Sequence, residues 1–216
     1  MRSPALTLIC DNIRDPGNLG TILRSAAGAG CCSVLLVKGC VDAWEPKVLR
    51  AGMGAHFRIP ILSNLEWDLV PNYLPTESCI HVADSCHESP PEEASPAQAP
   101  RSGRTPKSAS QTSQPPPSEG SQEEKEEEEA NLLPIQPYYK PWMEASVAVV
   151  VGGETHGVSP EAKQLAQGRG GKQLAIPMVP GVESVNSAVA ASVLLFEAKR
   201  QWLVKEGGAS RLQLKQ

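Results

Sequence analysis

An unbroken apolar run that ends in two glycines is the feature that most constrains the fold of this chain. Residues 147–151 read Val-Ala-Val-Val-Val, and Gly152, Gly153 and Glu154 follow them directly. A run without polar alternation is typical of a central strand in a parallel sheet, because such a strand is buried on both faces. Parallel strands need long crossover connections, which are usually helices, so the run predicts an α/β architecture.

The Gly-Gly-Glu segment also indicates a binding site. Ligands of open α/β sheets bind beyond the carboxyl ends of the strands. Glycine has no Cβ, so a ligand could approach the backbone closely at Gly152 and Gly153. Glu154 would add a carboxylate to that place. Taken alone, the segment fits an ordinary tight turn equally well.

The rest of the chain repeats the alternation of strand and helix. Apolar runs predict further strands at residues 5–10, 33–37, 57–62, 80–83 and 173–176. Helical spacing and helix-start signals predict helices at residues 19–28, from residue 46, and at residues 159–167 and 187–202. This order predicts an α/β domain with a mostly parallel sheet and helices on both faces. The absence of Gly-x-Gly-x-x-Gly and Walker motifs disfavours ordinary dinucleotide and NTP-binding enzymes.

The middle of the chain differs in composition from both ends. Residues 86–131 contain ten acidic and four basic residues, eight of the twenty prolines and no aromatic residue. Such a segment cannot bury enough apolar surface to offset the entropy of ordering it. We therefore interpret residues 86–140 as a disordered insertion between two parts of one domain, residues 1–85 and residues 141–216.

Charge, cysteines and hydropathy narrow the classes of function. The chain has a net charge of −4, and its acidic middle outweighs that, so the remainder is mildly positive and compatible with nucleic-acid binding. The six cysteines contain no Cys-x-x-Cys pair, so we expect reduced thiols and no metal site. No stretch approaches 18 apolar residues, so we expect no membrane span. No signal or transit peptide is recognisable at the start of the sequence.

Two further polar motifs follow predicted strands. Asn18 is expected at a helix entrance, and Arg24 lies less than two turns further on, where its guanidinium could bind a phosphate or a carboxylate. An ordinary exposed arginine is the alternative. After the last strand, Ile-Pro-Met at residues 176–178 leads to Ser184 and Asn186, at the mouth of a small-residue helix. A loop followed by a core helix would explain most of that motif, but not its Ser-x-Asn entrance.

Together, and in this order, the three motifs resemble those of the SpoU/TrmH branch of the SPOUT superfamily, the knotted RNA 2′-O-ribose methyltransferases. The family patterns Asn-x-Gly-x-x-x-Arg and Gly-x-Glu-x-x-Gly match residues 18–24 and 152–157. Ile-Pro-Met with Ser-Leu-Asn matches residues 176–186, with Val185 in place of leucine. The resemblance covers everything except the insertion. The sequence of residues 11–18 and 41–46 looks most like that of the vertebrate mitochondrial large-subunit rRNA methyltransferases of this branch.

The resemblance implies a deep C-terminal trefoil knot that binds S-adenosylmethionine, and a homodimer in which Arg24 can serve the partner's site. Its implied cofactor-binding residues are Gly152, Gly153, Ile176, Met178, Val185 and Asn186. Its implied catalytic residues, for methyl transfer to a ribose 2′-hydroxyl, are Arg24, Asn18, Glu154, Ser184 and Asn186. Because the pKa of arginine exceeds about 12, we assign Arg24 to clamping a phosphate rather than to removing a proton.

The resemblance also implies an RNA substrate, mitochondrial large-subunit ribosomal RNA, and a mitochondrial location. The alternative is a non-catalytic knotted module that binds RNA or a ribosome-assembly partner, and it would explain why no N-terminal RNA-binding domain precedes the first strand. The five intact polar residues favour the enzyme. Within the insertion, the acidic residues 123–129 are expected to repel RNA.

Overall fold

The structure, a computed structural model, describes residues 5–83, 133–154 and 157–213, with side chains in the last helix described as far as Gly207. The described residues contain seven strands and four α-helices. In chain order these are β1 (Ala5–Asp11), α1 (Pro16–Ala29), β2 (Ser33–Val37), α2 (Pro46–Gly52), β3 (Ile61–Leu65), β4 (Cys79–Ala83), β5 (Ile135–Pro137), β6 (Ser146–Gly152), α3 (Pro160–Gly168), β7 (Gln173–Ala175) and α4 (Ser187–Gln213).

All seven strands lie in one sheet, in the order β3-β2-β1-β6-β4-β7-β5, and every neighbouring pair is parallel. The expected parallel α/β architecture is therefore confirmed. β6 pairs with β1 from Ala5–Ser146 to Asp11–Gly152 and with β4 on its other side. This central place explains why residues 147–151 are all apolar, since neither face of the strand meets water.

Helices cover both faces of the sheet, as the sequence predicts. Alternate residues of β1 point to opposite faces. Leu6 and Leu8 belong to a core shared with α1, α2 and α4, whereas Ile9 belongs to a second core that contains Ala162 and Ala166 of α3. The domain is thus a three-layer structure, and the two largest helices, α1 and α4, lie together on one face.

Two predicted elements are displaced. α1 begins at Pro16 rather than at residue 19, because Asp15 is the N-cap and its side chain accepts the backbone N–H of Asn18 at 2.7 Å. The predicted strand at residues 57–62 is wrong over its first half. Ala55–Phe57 is a 3₁₀ helix, and β3 begins only after Pro60, which has no N–H to donate to a strand.

β5 lies at Ile135–Pro137, within the range that the sequence analysis assigned to the insertion. It is an edge strand that pairs only with β7, and three residues are too short for hydrophobic periodicity to detect. The assignment of residues 133–140 to the insertion is therefore wrong. Residues 84–132 lie outside the described part of the chain, so the rest of the insertion remains a prediction.

The five cysteines in the described part of the chain are free. Burial raises the pKa of Cys31 to about 12 and that of Cys40 to about 11, so both stay protonated thiols at neutral pH. Among the described residues, no group of three His, Cys, Asp or Glu side chains could hold a metal ion. No described helix is long and apolar enough to cross a membrane.

Gly152 and Gly153 allow three stretches of backbone to meet at the end of β6. A Cβ at Gly152 would overlap the carbonyl of Gly157 and lie 2.6 Å from the backbone nitrogen of Val158. A Cβ at Gly153 would overlap the carbonyl oxygen of Asn12. The space that glycine leaves at these two positions is filled by the protein's own backbone, and not left open for a ligand as the sequence analysis supposed.

His81 is a buried histidine that joins β4 to two loops. Its Nδ1 accepts the backbone N–H of Lys172 at 3.1 Å, so its proton lies on Nε2, which donates to the carbonyl of Trp142 at 3.3 Å. The ring also packs edge-to-face on the Trp142 indole, with centroids 5.4 Å apart. Burial lowers the pKa of His81, which is therefore neutral in the folded protein.

We expect the domain to lose stability as pH falls below about 6.5, the ordinary histidine pKa. The folded state then binds fewer protons at His81 than the unfolded state does, so acid favours unfolding. Urea denaturation of the wild type and His81→Gln at pH 7.5 and 5.5 measures this. The variant should be less stable at pH 7.5 and lose less on acidification. An equal loss in both proteins would show that His81 does not carry the effect.

Gly152→Ala should destabilise the domain by about 2 kcal/mol or more, because backbone must move to admit the new methyl group. Gly168→Ala is the matched control. A Cβ there meets nothing within 4 Å, and replacing glycine by alanine in a helix stabilises it by about 0.5–1 kcal/mol. Urea denaturation of the two variants should give shifts of opposite sign, and a stable Gly152→Ala protein would contradict the packing described above.

Candidate functional site

Three polar side chains that are distant in sequence meet at the carboxyl edge of the sheet. Asn18 lies in the first turn of α1, Glu154 follows β6 and Asn186 precedes α4. Asn18 Nδ2 donates to Glu154 Oε1 at 3.1 Å. Asn186 Nδ2 donates to Asn18 Oδ1 at 3.0 Å and also to Glu154 Oε1. The two amides and the carboxylate form a closed triangle, which we call the Asn-Glu-Asn network.

Helix capping fixes the amide of Asn186 and the backbone of Asn18 in this network. Asn186 Oδ1 accepts the backbone N–H of Ala188 at 2.9 Å, so Asn186 caps the start of α4 and must point its NH₂ group away from the helix. At α1, the cap formed by Asp15 holds the backbone of Asn18. The two helix starts therefore position side chains that would otherwise rotate freely, and the network is built before any ligand arrives.

A buried carboxylate that the sequence analysis did not identify supports the same edge. Asp11 is the last residue of β1, and its Oδ2 accepts the backbone N–H of Ser159, the N-cap of α3, at 2.6 Å. Its carbonyl oxygen accepts the N–H of Gly153 at 3.0 Å. Asp11 thus joins β1, the turn after β6 and the positive end of a helix. The sequence does contain a signal for Asp11, because this acidic residue ends a mostly apolar strand.

A cleft of about 420 Å³ opens beside the network, between the starts of α1 and α4 and the end of α2. Its lining residues are Asp15, Gly17, Asn18, Thr21, Ala51, Asn186, Ala188, Val189, Ser192 and Val193. The lining combines small apolar side chains with a few hydroxyl and amide groups. Such a lining can hold the sugar of a nucleotide and direct hydrogen bonds at its hydroxyl groups.

Arg24 and Ser184, which the sequence analysis also assigned to catalysis, lie outside the network. Arg24 is exposed on α1, six residues after Asn18, and therefore about 120° away around the helix. Ser184 is exposed in the loop before α4. Neither side chain forms a hydrogen bond or an ion pair with another described residue. Within one chain, the structure brings together Asn18, Glu154 and Asn186 only.

The residues assigned to cofactor binding also lie at the carboxyl edge. Gly152 ends β6 and Gly153 follows it, whereas Ile176 and Met178 follow β7, two strands away in the sheet. Val185 belongs to the loop that leads to α4. Gly152 is buried, and Ile176, Met178 and Val185 are half-buried, so apolar surface remains available there.

Comparison with known proteins places this geometry in a family. The model of the SpoU rRNA Methylase family matches residues 5–101 and 123–196. The chain is 58% identical over 203 residues to rRNA methyltransferase 3, mitochondrial, of Homo sapiens, and the match covers 91% of this chain and 47% of that protein. The chain spans about half the length of the curated relatives that it matches.

Solved structures share the fold. The SpoU methyltransferase AviRb from Streptomyces viridochromogenes, crystallised with AdoMet, is 19% identical and superimposes with a TM-score of 0.65, over 94% of this chain and 63% of that chain. An RNA 2′-O ribose methyltransferase is 26% identical, with a TM-score of 0.58, over 94% of this chain and 59% of that one. From the family match and the human relative together, this chain belongs to the SpoU rRNA methylase family.

Proposed function

We propose that this domain transfers a methyl group from S-adenosylmethionine to a ribose 2′-hydroxyl of RNA, and that the RNA is mitochondrial large-subunit ribosomal RNA. The Asn-Glu-Asn network carries the proposal, because it holds a carboxylate and two oriented amides beside a cleft of nucleotide size. Membership of the family and the name of the human relative support the RNA substrate and the mitochondrial location. The crystallised AviRb complex supports the cofactor.

The cofactor would bind at the ends of β6 and β7. Ile176, Met178 and Val185 would contact its adenine, and the backbone at Gly152 and Gly153 would contact its ribose. When bound, S-adenosylmethionine supplies a methyl group on a positively charged sulfur, which the ribose oxygen accepts as its own proton leaves. Because Cβ atoms are excluded at the two glycines by neighbouring backbone, their first task is to hold this edge in shape.

A ribose hydroxyl is a weak nucleophile, so the protein must orient it and favour the loss of its proton. Asn18 and Asn186 hold Glu154 Oε1, which leaves the second carboxylate oxygen without a partner among the described residues and able to accept a hydrogen bond. Ser184, in the loop just before α4, would donate a further hydrogen bond to the substrate. The guanidinium of Arg24 would bind the adjacent phosphate and stabilise the developing negative charge on the ribose oxygen.

Our proposal includes a homodimer in which Arg24 serves the site of the partner subunit. Two observations support it. Arg24 does not reach the network of its own chain, and α4 exposes large apolar side chains, among them Phe196 at 49%. An exposed apolar helix face of this kind is common at an interface between subunits. A symmetric contact would then complete each site with a cation from the other chain.

We also propose the trefoil knot that the family resemblance implies. The support is the position of β7, which lies between β4 and β5 although both precede it in the chain. A strand inserted between two earlier strands requires the chain to return into the interior of the sheet. The segment from β7 to α4 also carries Ile176, Met178 and Val185, so the crossing and the cofactor residues occupy the same stretch.

Calorimetric titration of S-adenosylmethionine into the purified chain, with light scattering on the same sample, tests the cofactor and the dimer together. We expect saturable binding by a protein of twice the chain mass, because the cofactor edge is already formed. A folded protein that binds no S-adenosylmethionine would contradict the proposal and favour the non-catalytic RNA-binding module. A monomer that binds the cofactor would retain the enzyme but remove the shared role of Arg24.

Glu154→Gln should lower the rate of methyl transfer at saturating RNA by about a hundredfold or more, because a neutral amide accepts a hydrogen bond from the ribose hydroxyl more weakly than a carboxylate does. Arg24→Lys should lower it as well, since an ammonium group cannot bind a phosphate with two parallel hydrogen bonds. The assay is transfer of a labelled methyl group to large-subunit rRNA transcripts. Glu161→Gln, an exposed carboxylate in α3, is the matched control and should retain full activity. Near-normal turnover by Glu154→Gln would reject the assigned site.

A further inference from the structure

Two aromatic side chains form an exposed surface next to the cleft. Phe57 is 80% exposed and Trp44 is 51% exposed, and their ring centroids lie 6.2 Å apart at an angle of 58°. We call this pair the aromatic platform. Exposed apolar side chains that lie in contact with each other often mark an interaction site, so the platform indicates a binding surface.

The buried side chain of His56 supports the platform. His56 is buried, its Nε2 lies 2.7 Å from the carbonyl oxygen of Ala43, and its ring centroid is 5.3 Å from that of Trp44. The backbone N–H of Trp44 donates to Asp42 Oδ1 at 3.0 Å. Phe57 ends a 3₁₀ helix. Since both rings are presented by constrained backbone, a ligand that stacks on them has little disorder to remove.

Three exposed cations lie close in sequence to the platform. Lys47 and Arg50 on α2 are exposed, as is Arg58 directly after Phe57. The same stretch contains two carboxylates, Asp42 and Glu45, and the first of these accepts the N–H of Trp44. The three cations exceed the two carboxylates by one, so the stretch combines stacking rings with a slight excess of positive charge. Aromatic rings together with cations are the chemistry that binds single-stranded nucleic acid.

The platform lies next to the candidate active site. α2 packs against α1, where a Cβ at Gly20 would lie 2.6 Å from the carbonyl oxygen of Val48, and Ala51 of α2 lines the cleft together with Asn18. At the same end of α2, a Cβ at Gly52 would lie 2.6 Å from Cε1 of His56, whose ring centroid is 5.3 Å from that of Trp44, so the platform is linked to the cleft through Gly52 and His56. Arg24 lies one turn beyond Gly20 on the same stripe of α1.

We infer that Trp44 and Phe57 stack on an unpaired base that neighbours the methylated nucleotide, so that the substrate is recognised as single-stranded RNA. This inference rests on the proposed function for its substrate class. The cations bind the phosphates on either side of the stacked base, and the rings bind the base without reading its sequence. A second copy of the chain is a poorer occupant, because a twofold contact here would bring Lys47, Arg50 and Arg58 close to the same cations of the other chain.

The test is binding of a 5′-fluorescein-labelled 12-nucleotide oligouridylate, measured by fluorescence anisotropy with S-adenosylmethionine titrated in parallel. Phe57→Ala should weaken RNA binding about tenfold or more, and Phe57→Tyr should bind within about twofold of the wild type. The loss in Phe57→Ala should persist as salt is raised, because stacking is not Coulombic, whereas Arg50→Ala should lower the salt dependence. Tyr73→Ala is the matched control, an exposed aromatic of another 3₁₀ helix, which packs on the opposite face of the sheet.

The possible failures are distinguishable. If the wild type binds S-adenosylmethionine but Phe57→Ala binds RNA and supports methyl transfer as the wild type does, the inference is overturned and the proposed function stands. If Phe57→Ala changes the oligomeric state and leaves RNA affinity unchanged, the platform is a protein interface and the inference is again overturned. If the wild type fails to bind S-adenosylmethionine, the proposed function falls, and a loss of RNA affinity in Phe57→Ala would still support the platform as an RNA-binding surface.

Discussion

The close approach of three backbone segments at the end of β6 is the constraint on which the candidate site depends. β6 pairs with β1 along its whole length, so Gly152 lies beside Asp11. The backbone N–H of the next residue, Gly153, donates to the carbonyl of Asp11. The carbonyl of Gly153 in turn accepts the backbone N–H of Gly157. The carboxylate of Asp11 extends the contact to α3. Glu154 follows Gly153 directly, so the sheet sets the position of its backbone, and the two asparagines hold its side chain.

The helix starts complete what the sheet begins. α1 and α4 each begin at this edge, and each brings one asparagine to Glu154. Because Asn186 uses its oxygen to cap α4, only its nitrogen is available to the network. The same residue thus contributes to stability and to the site, and a substitution at Asn186 would affect both. Arg24 differs, since it is exposed on α1 and makes no hydrogen bond or ion pair with another described residue, and the role that we propose for it requires RNA or a second chain.

The parallel α/β fold could be predicted from the sequence because central strands leave a strong signal: residues 147–151 are apolar without interruption. β5 was not predicted because an edge strand of three residues shows no hydrophobic periodicity. Phe57 was wrongly assigned to a strand because it is apolar and close to Ile59, although its side chain is exposed. Asn18, Glu154 and Asn186 were identified by motif, and the structure shows them in contact. Their mutual hydrogen bonds span up to 168 residues, and no local pattern encodes such a distance. Asp11 was missed although it ends an apolar strand, because its hydrogen-bond partner Ser159 is 148 residues away in the sequence. The platform was missed because the contact between Trp44 and Phe57 exists only in the folded chain.

The place of β7 in the sheet has a consequence for how the protein is made. β4 and β5 cannot pair with each other first, because residues 173–175 must come to lie between them. Residues up to 175 must therefore be synthesised before the sheet can close, and both strand pairings of β7 join residues that are distant in sequence. Contacts of this kind are associated with slow folding. During that interval the backbone groups of β4 and β5 that later bond to β7 have no partner strand, and unpaired strand edges of this kind make folding intermediates prone to aggregate.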